Sequence, residues 1–369
     1  MACGILEGMA QRLLAAMESP MAGPDEVEPA AMEVYDTLEL SSVEEADDAL
    51  RTLSHGLALE DARRSGFIAV ACRSFLIHGC DPSIVSDLLV SQLGGLLEKC
   101  VRLHAACETR MKEDAASSDG DDQSPTAGFE RAKSTLGGSM ADEVTAWEVL
   151  KQVWPCAIEL FSRSVAARMA AHEMVKAAAA ISSLHEAGHW LRLMLSAPHD
   201  EPLLAIEPSS GLGIEGRVSG VVDNYQLHAL LMDCFPRRGL LKRRRISRRA
   251  VDTARGTGPQ VTDDTIVGAW NMWTWQAIQP SLDLPDPGVW SADALWVWGE
   301  GIPADIPVFE GFRVVLLGPP SYERSWRSQR MFARLPANLE IAQTLSRAEV
   351  TDWLGRMGNA LRAEQYDQR

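Results

Sequence analysis

The spacing of apolar residues is the strongest constraint on the fold of this chain. Through residues 42–110 and again through 142–198, leucine, valine, isoleucine and alanine recur every three or four positions, which is the repeat of one face of an α-helix. After residue 200 the apolar residues stand instead in short runs bounded by glycine and proline, such as LLAIE at 203–207 and FRVVLLG at 312–318. The pattern predicts a mainly α protein with helical N-terminal and central regions and a small α+β C-terminal module.

Local signals at helix ends support this division. Ser42 is followed three residues later by Glu45, and Ser346 by Glu349, which is the capping-box pattern of a helix start. Helices are expected at 42–54, 59–79, 222–234 and 347–364, and a long one after Asp81. Another long helical stretch begins at about residue 142, is expected to be interrupted by Pro155, and stops at Pro198.

Changes in composition predict where one segment gives way to the next. Residues 20–40 mix proline, glycine and acids, residues 111–141 are rich in serine, glycine and aspartate, and eight of the eleven tryptophans lie between 270 and 353. The predicted segments are an irregular acidic lead-in at 1–40, an acidic helical domain at 41–110, a flexible linker at 111–141, long helices at 142–198 and a Trp-rich α+β module at 199–369.

Charge is distributed unevenly along the 369 residues. The chain has 51 acidic and 35 basic side chains, a formal net charge of -16, and its first 150 residues hold 27 of the acids and only 11 of the bases. Such a molecule repels a phosphate backbone, so nucleic acid is not expected as its general partner. A basic run from Arg237 to Arg249 has eight bases in thirteen positions. We expect an intramolecular or subunit contact of this run with the acidic N-terminal region, the alternatives being a solvated loop or a site for phosphates.

The cysteines and the apolar runs bear on the compartment. The seven cysteines form no CxxC pair and mostly stand in apolar helical stretches, which favours buried, reduced thiols. The first twenty residues lack the basic segment and the continuous apolar run of a secretory signal, and no stretch is long and apolar enough to cross a membrane. The sequence therefore predicts a cytosolic protein with no membrane partner.

One motif in the chain is associated with catalysis. Residues 185–189 read HEAGH, an HExxH pentad in a stretch with a helical pattern. Histidines four residues apart project from the same side of a helix and can present two imidazole nitrogens to one Zn²⁺. A glutamate beside the first histidine can polarise a water molecule bound to the metal.

The stretch ISSLHEAGHWL resembles the active-site helix of the zincin metallopeptidases over about ten residues. The resemblance implies that His185 and His189 bind zinc and that Glu186 is the general base. It does not extend to the continuation HExxHxxGxxH, since positions 192 and 195 are Arg and Leu. The candidates for a third zinc ligand are His199, Glu207, Glu215 and Asp223.

Two functions from different classes follow. The first is a zinc-dependent hydrolase, such as a peptidase, built on His185, Glu186 and His189. The second is a non-catalytic interaction or regulatory protein without a metal site, in which the histidines border the helix core and the basic run and the Trp-rich module bind a protein or peptide. In that module Trp296 and Trp298 either wall a pocket or fill a small core.

Overall fold

The computed structural model describes residues 4–117, 124–236, 246–278, 295–320 and 322–367. The chain divides into two compact units, Met1–Leu195 and Ser196–Arg369. The first unit is helical and the second contains the strands, which confirms the prediction of a mainly α chain with an α+β C-terminal module.

The N-terminal unit is built of helices. Its helices are α1 (Ile5–Glu18), α2 (Pro24–Leu38), α3 (Val43–Ser54), α4 (Ala62–His78), α5 (Ser86–Ser117), α6 (Pro125–Leu136), α7 (Ala141–Arg163), α8 (Val165–Ala170), α9 (Val175–Ile181) and α10 (Glu186–Leu195).

Helix α7 is the centre of this unit, because it packs against α4, α5 and α10. The expected interruption at Pro155 is wrong, since α7 continues through that residue. A proline inside a helix removes one backbone hydrogen bond. The neighbouring Val153, Cys156 and Leu160 are fully buried, and their packing holds the helix together across the missing bond.

The prediction of an irregular lead-in over residues 1–40 is wrong. Helices α1 and α2 occupy most of it, and α1 packs on α2 and α3. Leu6, Ala10 and Leu13 form a buried stripe along α1, and its apolar face is the reason that this acidic segment folds. Pro24 stands in the first turn of α2, where a proline starts a helix rather than breaking it.

The prediction of a flexible linker over residues 111–141 is also wrong where the structure describes it. Helix α5 runs on to Ser117, and α6 packs against α5. Phe129 of α6 is fully buried, with its ring centroid 4.7 Å from that of Trp147 and 6.0 Å from that of His104. This single large apolar side chain anchors an otherwise polar segment. Residues 118–123 lie outside the described part of the chain.

The C-terminal unit is built on a mixed sheet. Its elements are β1 (Glu201–Glu207), β2 (Leu212–Ser219), α11 (Asn224–Cys234), α12 (Arg248–Arg255), β3 (Val261–Val267), β4 (Asn271–Thr274), β5 (Val308–Phe309), β6 (Phe312–Gly318), β7 (Ser325–Gln329), β8 (Asn338–Leu345) and α13 (Arg347–Asp367). The main sheet has the order β4-β6-β1-β2-β8, with β5 added beside β6, and β3 pairs with β7 separately. Among the described strands, β1 and β6 run parallel, and the other neighbouring strands are antiparallel.

Both faces of the main sheet are buried. Leu203 and Val315 belong to a core that includes α11 and α12, whereas Leu204 and Leu316 belong to one that includes α13. Because side chains alternate across a strand, a strand covered on both faces needs apolar residues in succession. This explains why LLAIE and FRVVLLG read as continuous apolar runs, and both of these strands were predicted from them.

Six cysteines are described, and none of them forms a disulfide. Five are buried and Cys234 is half-buried. In the described ranges no helix combines the length and apolar character required to cross a bilayer.

Gly188 gives a test of the packing of α10 on α9. A Cβ at this position would stand 2.6 Å from Cγ1 of Ile181 and 2.8 Å from the carbonyl oxygen of Ala178. Because that oxygen belongs to the backbone, it cannot move aside at low cost. We expect Gly188→Ala to lower the free energy of unfolding by about 1–3 kcal/mol, measured by chemical denaturation.

Gly95→Ala is the matched control. Gly95 lies within α5, and nothing is within 4 Å of its added Cβ. Alanine should therefore raise the stability by up to about 1 kcal/mol through its higher helix propensity. Equal effects of the two substitutions would contradict the close packing of α9 and α10.

Candidate functional site

The HExxH pentad begins a helix instead of lying inside one. A turn at residues 182–184 follows α9, and α10 starts at Glu186, so His185 precedes the first helical residue. Its ring Nδ1 accepts a hydrogen bond from the Ala187 N–H at 3.1 Å. His185 therefore caps α10 with its own side chain.

The other ring nitrogen of His185 is also engaged. Nε2 lies 2.9 Å from the carbonyl oxygen of Trp147, and a carbonyl oxygen only accepts, so Nε2 carries the proton. The side chain is 3% exposed, and its ring packs edge-on against the Trp147 ring at 4.6 Å. Burial lowers the pKa of His185, which keeps the imidazole neutral. A metal could bind this ring only by replacing one of the two hydrogen bonds.

Glu186 and His189 lie on the solvent side of the helix. Both are exposed; Glu186 accepts a hydrogen bond from Nε1 of Trp190 at 3.2 Å, and the His189 ring lies edge-on to Trp190 at 5.1 Å. His185 is buried while His189 faces water, so the pentad does not present its histidines to one common space.

The candidates for a third ligand are occupied elsewhere or exposed. His199 is exposed. Glu207 accepts hydrogen bonds from Trp270 Nε1 at 2.9 Å and from the Ser210 hydroxyl. Glu215 accepts a hydrogen bond from Trp353 Nε1 at 3.1 Å. Asp223 caps α11 by accepting a hydrogen bond from the Gln226 N–H at 2.7 Å. Across the described ranges, no three His, Cys, Asp or Glu side chains come together in an arrangement that could hold a metal ion.

A different site lies in the C-terminal unit, at the N-terminal end of α11. It is a cavity of about 220 Å³. Its walls come from the first residue of α11, the last residue of β4 and a loop between residues 296 and 307. The lining residues are Asn224, Thr274, Trp296, Val297, Trp298, Gly301, Ile302, Asp305, Ile306 and Pro307. We call this cavity the tryptophan pocket.

Backbone hydrogen bonds hold the loop on the helix. The Asn224 N–H donates to the Gly301 carbonyl at 2.9 Å, and the Tyr225 N–H donates to the Gly299 carbonyl at 3.1 Å. The Asn224 side-chain N–H adds a bond of 2.8 Å to the Trp298 carbonyl. These donors have no partner within the helix, so the loop supplies carbonyls that the helix start needs.

A close approach makes glycine necessary at position 299. A Cβ there would lie 2.3–2.7 Å from three atoms of the Tyr225 ring. The loop can therefore press against this ring only because residue 299 has no side chain.

Three hydrogen-bonding atoms of the pocket's side chains have no partner among the described residues. They are Oδ1 of Asn224, Oγ1 of Thr274 and Nε1 of Trp296, and all three are shielded from solvent. Asn224 is 3% exposed and Thr274 is 4% exposed. A native protein usually pairs such groups, because each buried unpaired polar atom costs about 1–3 kcal/mol.

Charged groups other than the lining residue Asp305 lie near the pocket. The Tyr225 hydroxyl donates to Oε1 of Glu300 at 2.6 Å, and this bond together with the nearby Arg324 lowers the pKa of Glu300. The Arg324 guanidinium lies 5.6 Å from the centre of the Trp296 ring. Burial raises the pKa of Asp223 to about 6, and the charge of Glu300 adds to the rise.

Sequence reasoning found part of this pocket and missed the rest. Trp296 and Trp298 are the two pocket residues that the sequence pattern singles out, as residues that either wall a pocket or fill a small core. Asn224 and Thr274 had no distinguishing signal, because each is a single polar residue in an otherwise ordinary element. Only their placement beside the tryptophans gives them a role.

The buried His228 of α11 makes the stability of the C-terminal unit depend on pH. Its Nε2 accepts the Ala269 N–H at 3.2 Å, its ring packs near Trp270 and Trp326, and burial lowers its pKa from 6.5 to about 3. Between these two values the unfolded chain binds a proton that the folded chain does not. The contribution of His228 to stability is therefore complete above pH 6.5 and is lost as the pH falls toward 3.

We expect His228→Gln to reduce the slope of the unfolding free energy against pH by about 1.4 kcal/mol per pH unit between about pH 4 and 6. Chemical denaturation at several pH values measures it. Groups such as Asp223 are shared by both proteins and cancel in the comparison. His199→Gln, which removes an exposed histidine of the same unit, is the control. An unchanged slope in His228→Gln would contradict the burial of a neutral imidazole.

Comparison with known proteins finds no relative of this chain. No protein-family model matches the chain, and no curated protein or solved structure is similar to it. The function therefore has to be argued from the pentad and the tryptophan pocket themselves.

Proposed function

We propose that this chain is a non-catalytic binding protein that recognises its ligand through the tryptophan pocket. The observation that carries the proposal is the placement of three unpartnered polar atoms, on Asn224, Thr274 and Trp296, in side chains that line one cavity. This corresponds to the second function predicted from the sequence, an interaction protein whose Trp-rich module makes the contact.

The three unpaired polar atoms lower the stability of the ligand-free protein. Apolar side chains of the same shape would remove the cost without changing the packing. Real proteins break local rules of this kind mainly at functional sites. A ligand that pairs with the three atoms turns a local cost of the free protein into a gain on binding.

The residue types on the walls support binding rather than catalysis. Among the described lining residues Asp305 is the one ionisable side chain, so these residues offer no second group for paired acid and base chemistry. Thr274 has a hydroxyl, but a nucleophilic hydroxyl needs a base within hydrogen-bond distance, and Oγ1 has no such neighbour among the described residues.

Thr274→Val tests whether the hydroxyl serves stability or a ligand. The substitution keeps the shape and removes the unpaired oxygen, so we expect the free energy of unfolding of the ligand-free protein to rise by about 1 kcal/mol. Chemical denaturation measures it. A gain in stability at a residue kept for binding is the usual trade-off at functional sites.

Thr262→Val is the matched control. Thr262 is equally buried and lies in a strand of the same unit, but its Oγ1 accepts the Asp264 N–H at 3.3 Å. Valine there should lower the stability by about 1 kcal/mol. If Thr274→Val were as destabilising as Thr262→Val, the hydroxyl would have a structural role and the proposal would fail.

The zinc-dependent hydrolase is the second candidate, and it is supported by the HExxH motif alone. If it were correct, the purified protein would contain about one zinc per chain. We expect no stoichiometric zinc, because both ring nitrogens of His185 are hydrogen-bonded.

Metal analysis of the wild type beside His189→Ala decides between the candidates. His189 is exposed, so its removal should leave the fold intact. One zinc in the wild type that is lost in this variant would establish the metal site. Equal, substoichiometric zinc in both proteins would end the hydrolase hypothesis.

The remaining predictions from the sequence stand as proposals. One of them is a protein or peptide partner of the chain. The contact between the basic run and the acidic N-terminal region is a further proposal; residues 237–245 of that run lie outside the described part of the chain. A cytosolic location is supported by the described cysteines, which are all free.

A further inference from the structure

We infer that the tryptophan pocket takes one neutral sugar ring, a monosaccharide or a single unit of a glycan. The inference rests on the proposed function and names the chemical class of its ligand. It follows from the hydrogen-bonding groups, the charge, the shape and the size of the cavity.

The three unpartnered atoms differ in hydrogen-bonding character. Oδ1 of Asn224 only accepts, Nε1 of Trp296 only donates, and the Thr274 hydroxyl does both. An ammonium group offers donors alone, and a carboxylate or phosphate offers acceptors alone. A hydroxyl offers both, and a sugar ring has several hydroxyls that point in different directions, so it can pair with all three atoms at once.

The charge of the described walls disfavours anions. Among the described lining residues there is no lysine, arginine or histidine, whereas Asp305 carries a negative charge. That charge opposes the binding of a phosphate or a carboxylate. The Arg324 guanidinium lies over the Trp296 ring and interacts with the carboxylate of Glu300.

The aromatic walls match the shape of a sugar. The ring centroids of Trp296 and Trp298 are 5.7 Å apart with an angle of 36° between the planes, so the two indoles form one bent apolar surface. Trp298 is 45% exposed, which is unusual for a residue that mainly fills a core. The C–H face of a pyranose is flat and apolar, and it packs on such a surface while its hydroxyls point to the polar groups.

The size limits the ligand to one ring. Pockets for drug-sized molecules have volumes of about 300–1,000 Å³, and this cavity, at about 220 Å³, is smaller. The three polar atoms are shielded in the empty cavity. The sugar therefore reaches them after a side-chain rotation of the kind that commonly accompanies binding.

A peptide fits the same atoms less well. One backbone amide has one donor and one acceptor that point in opposite directions, so it pairs with two of the three atoms. A peptide also continues on both sides, and the cavity holds only a small group.

The test is a binding measurement on the full chain with two panels of probes, by saturation-transfer NMR and calorimetry. The first panel contains glucose, galactose, mannose and N-acetylglucosamine; the second contains uncharged dipeptides, choline and inorganic phosphate. We expect at least one sugar to bind and the affinity to fall about tenfold or more in Thr274→Val and in Trp298→Ala. Tyr322→Ala is the control, because Tyr322 is an exposed aromatic residue that does not line the pocket, and it should bind as the wild type does.

Every other outcome contradicts either the sugar inference alone or the proposed function as well. If no sugar binds but a probe of the second panel binds in a manner that depends on Thr274, the sugar inference is wrong and the proposed function survives. If sugar binds equally well to Thr274→Val and Trp298→Ala, the sugar site lies elsewhere and the inference is wrong. If no probe binds, both the inference and the proposed function fail.

Discussion

The parallel pairing of β1 with β6 is the contact on which the C-terminal unit depends. Leu203 stands opposite Arg313 and Ile206 opposite Leu316, so two segments more than one hundred residues apart become neighbours. The other strands of the main sheet extend outward from this pair, with β4 and β5 beside β6 and with β2 and then β8 on the side of β1. Because the pair is covered on both faces, it divides the unit into the two cores that hold α11 and α13. Pairing over such a long separation costs chain entropy, which the burial of two apolar faces offsets.

The tryptophan pocket is a consequence of this arrangement. Strand β4 is the edge neighbour of β6 and brings Thr274 to the place where α11 begins. Trp273 of β4 also forms a bridge with Trp296, and their rings lie 4.5 Å apart. The loop that follows supplies carbonyls to the start of α11 through Gly299 and Gly301. The backbone around the pocket is therefore fixed by contacts on two sides, so that only side chains have to rotate when a ligand binds.

The HExxH pentad illustrates how a motif depends on its context. Its chemistry requires a helix that extends before the first histidine and a common space in front of both rings. Here the chain turns between α9 and α10, and the His185 ring bends back to cap the helix and to bond Trp147. The residues of the motif are all present, and their geometry serves the packing of α10 against α7. Spacing along the chain could not reveal this, because the partner carbonyl is 38 residues away.

The sequence by itself determined the features that rest on neighbouring residues. The capping boxes at Ser42 and Ser346 form as the local pattern predicts, and the continuous apolar runs become the central strands β1 and β6. The sequence was misleading where a few buried side chains outweigh a polar composition, as Leu6 and Leu13 do in α1 and Phe129 does in α6. Only the tertiary structure decided that His185 is a cap and that Asn224, Thr274 and Trp296 surround one cavity. The physical reason is that local patterns report on contacts within a few residues, whereas a site is assembled by strand pairing and packing between distant parts of the chain.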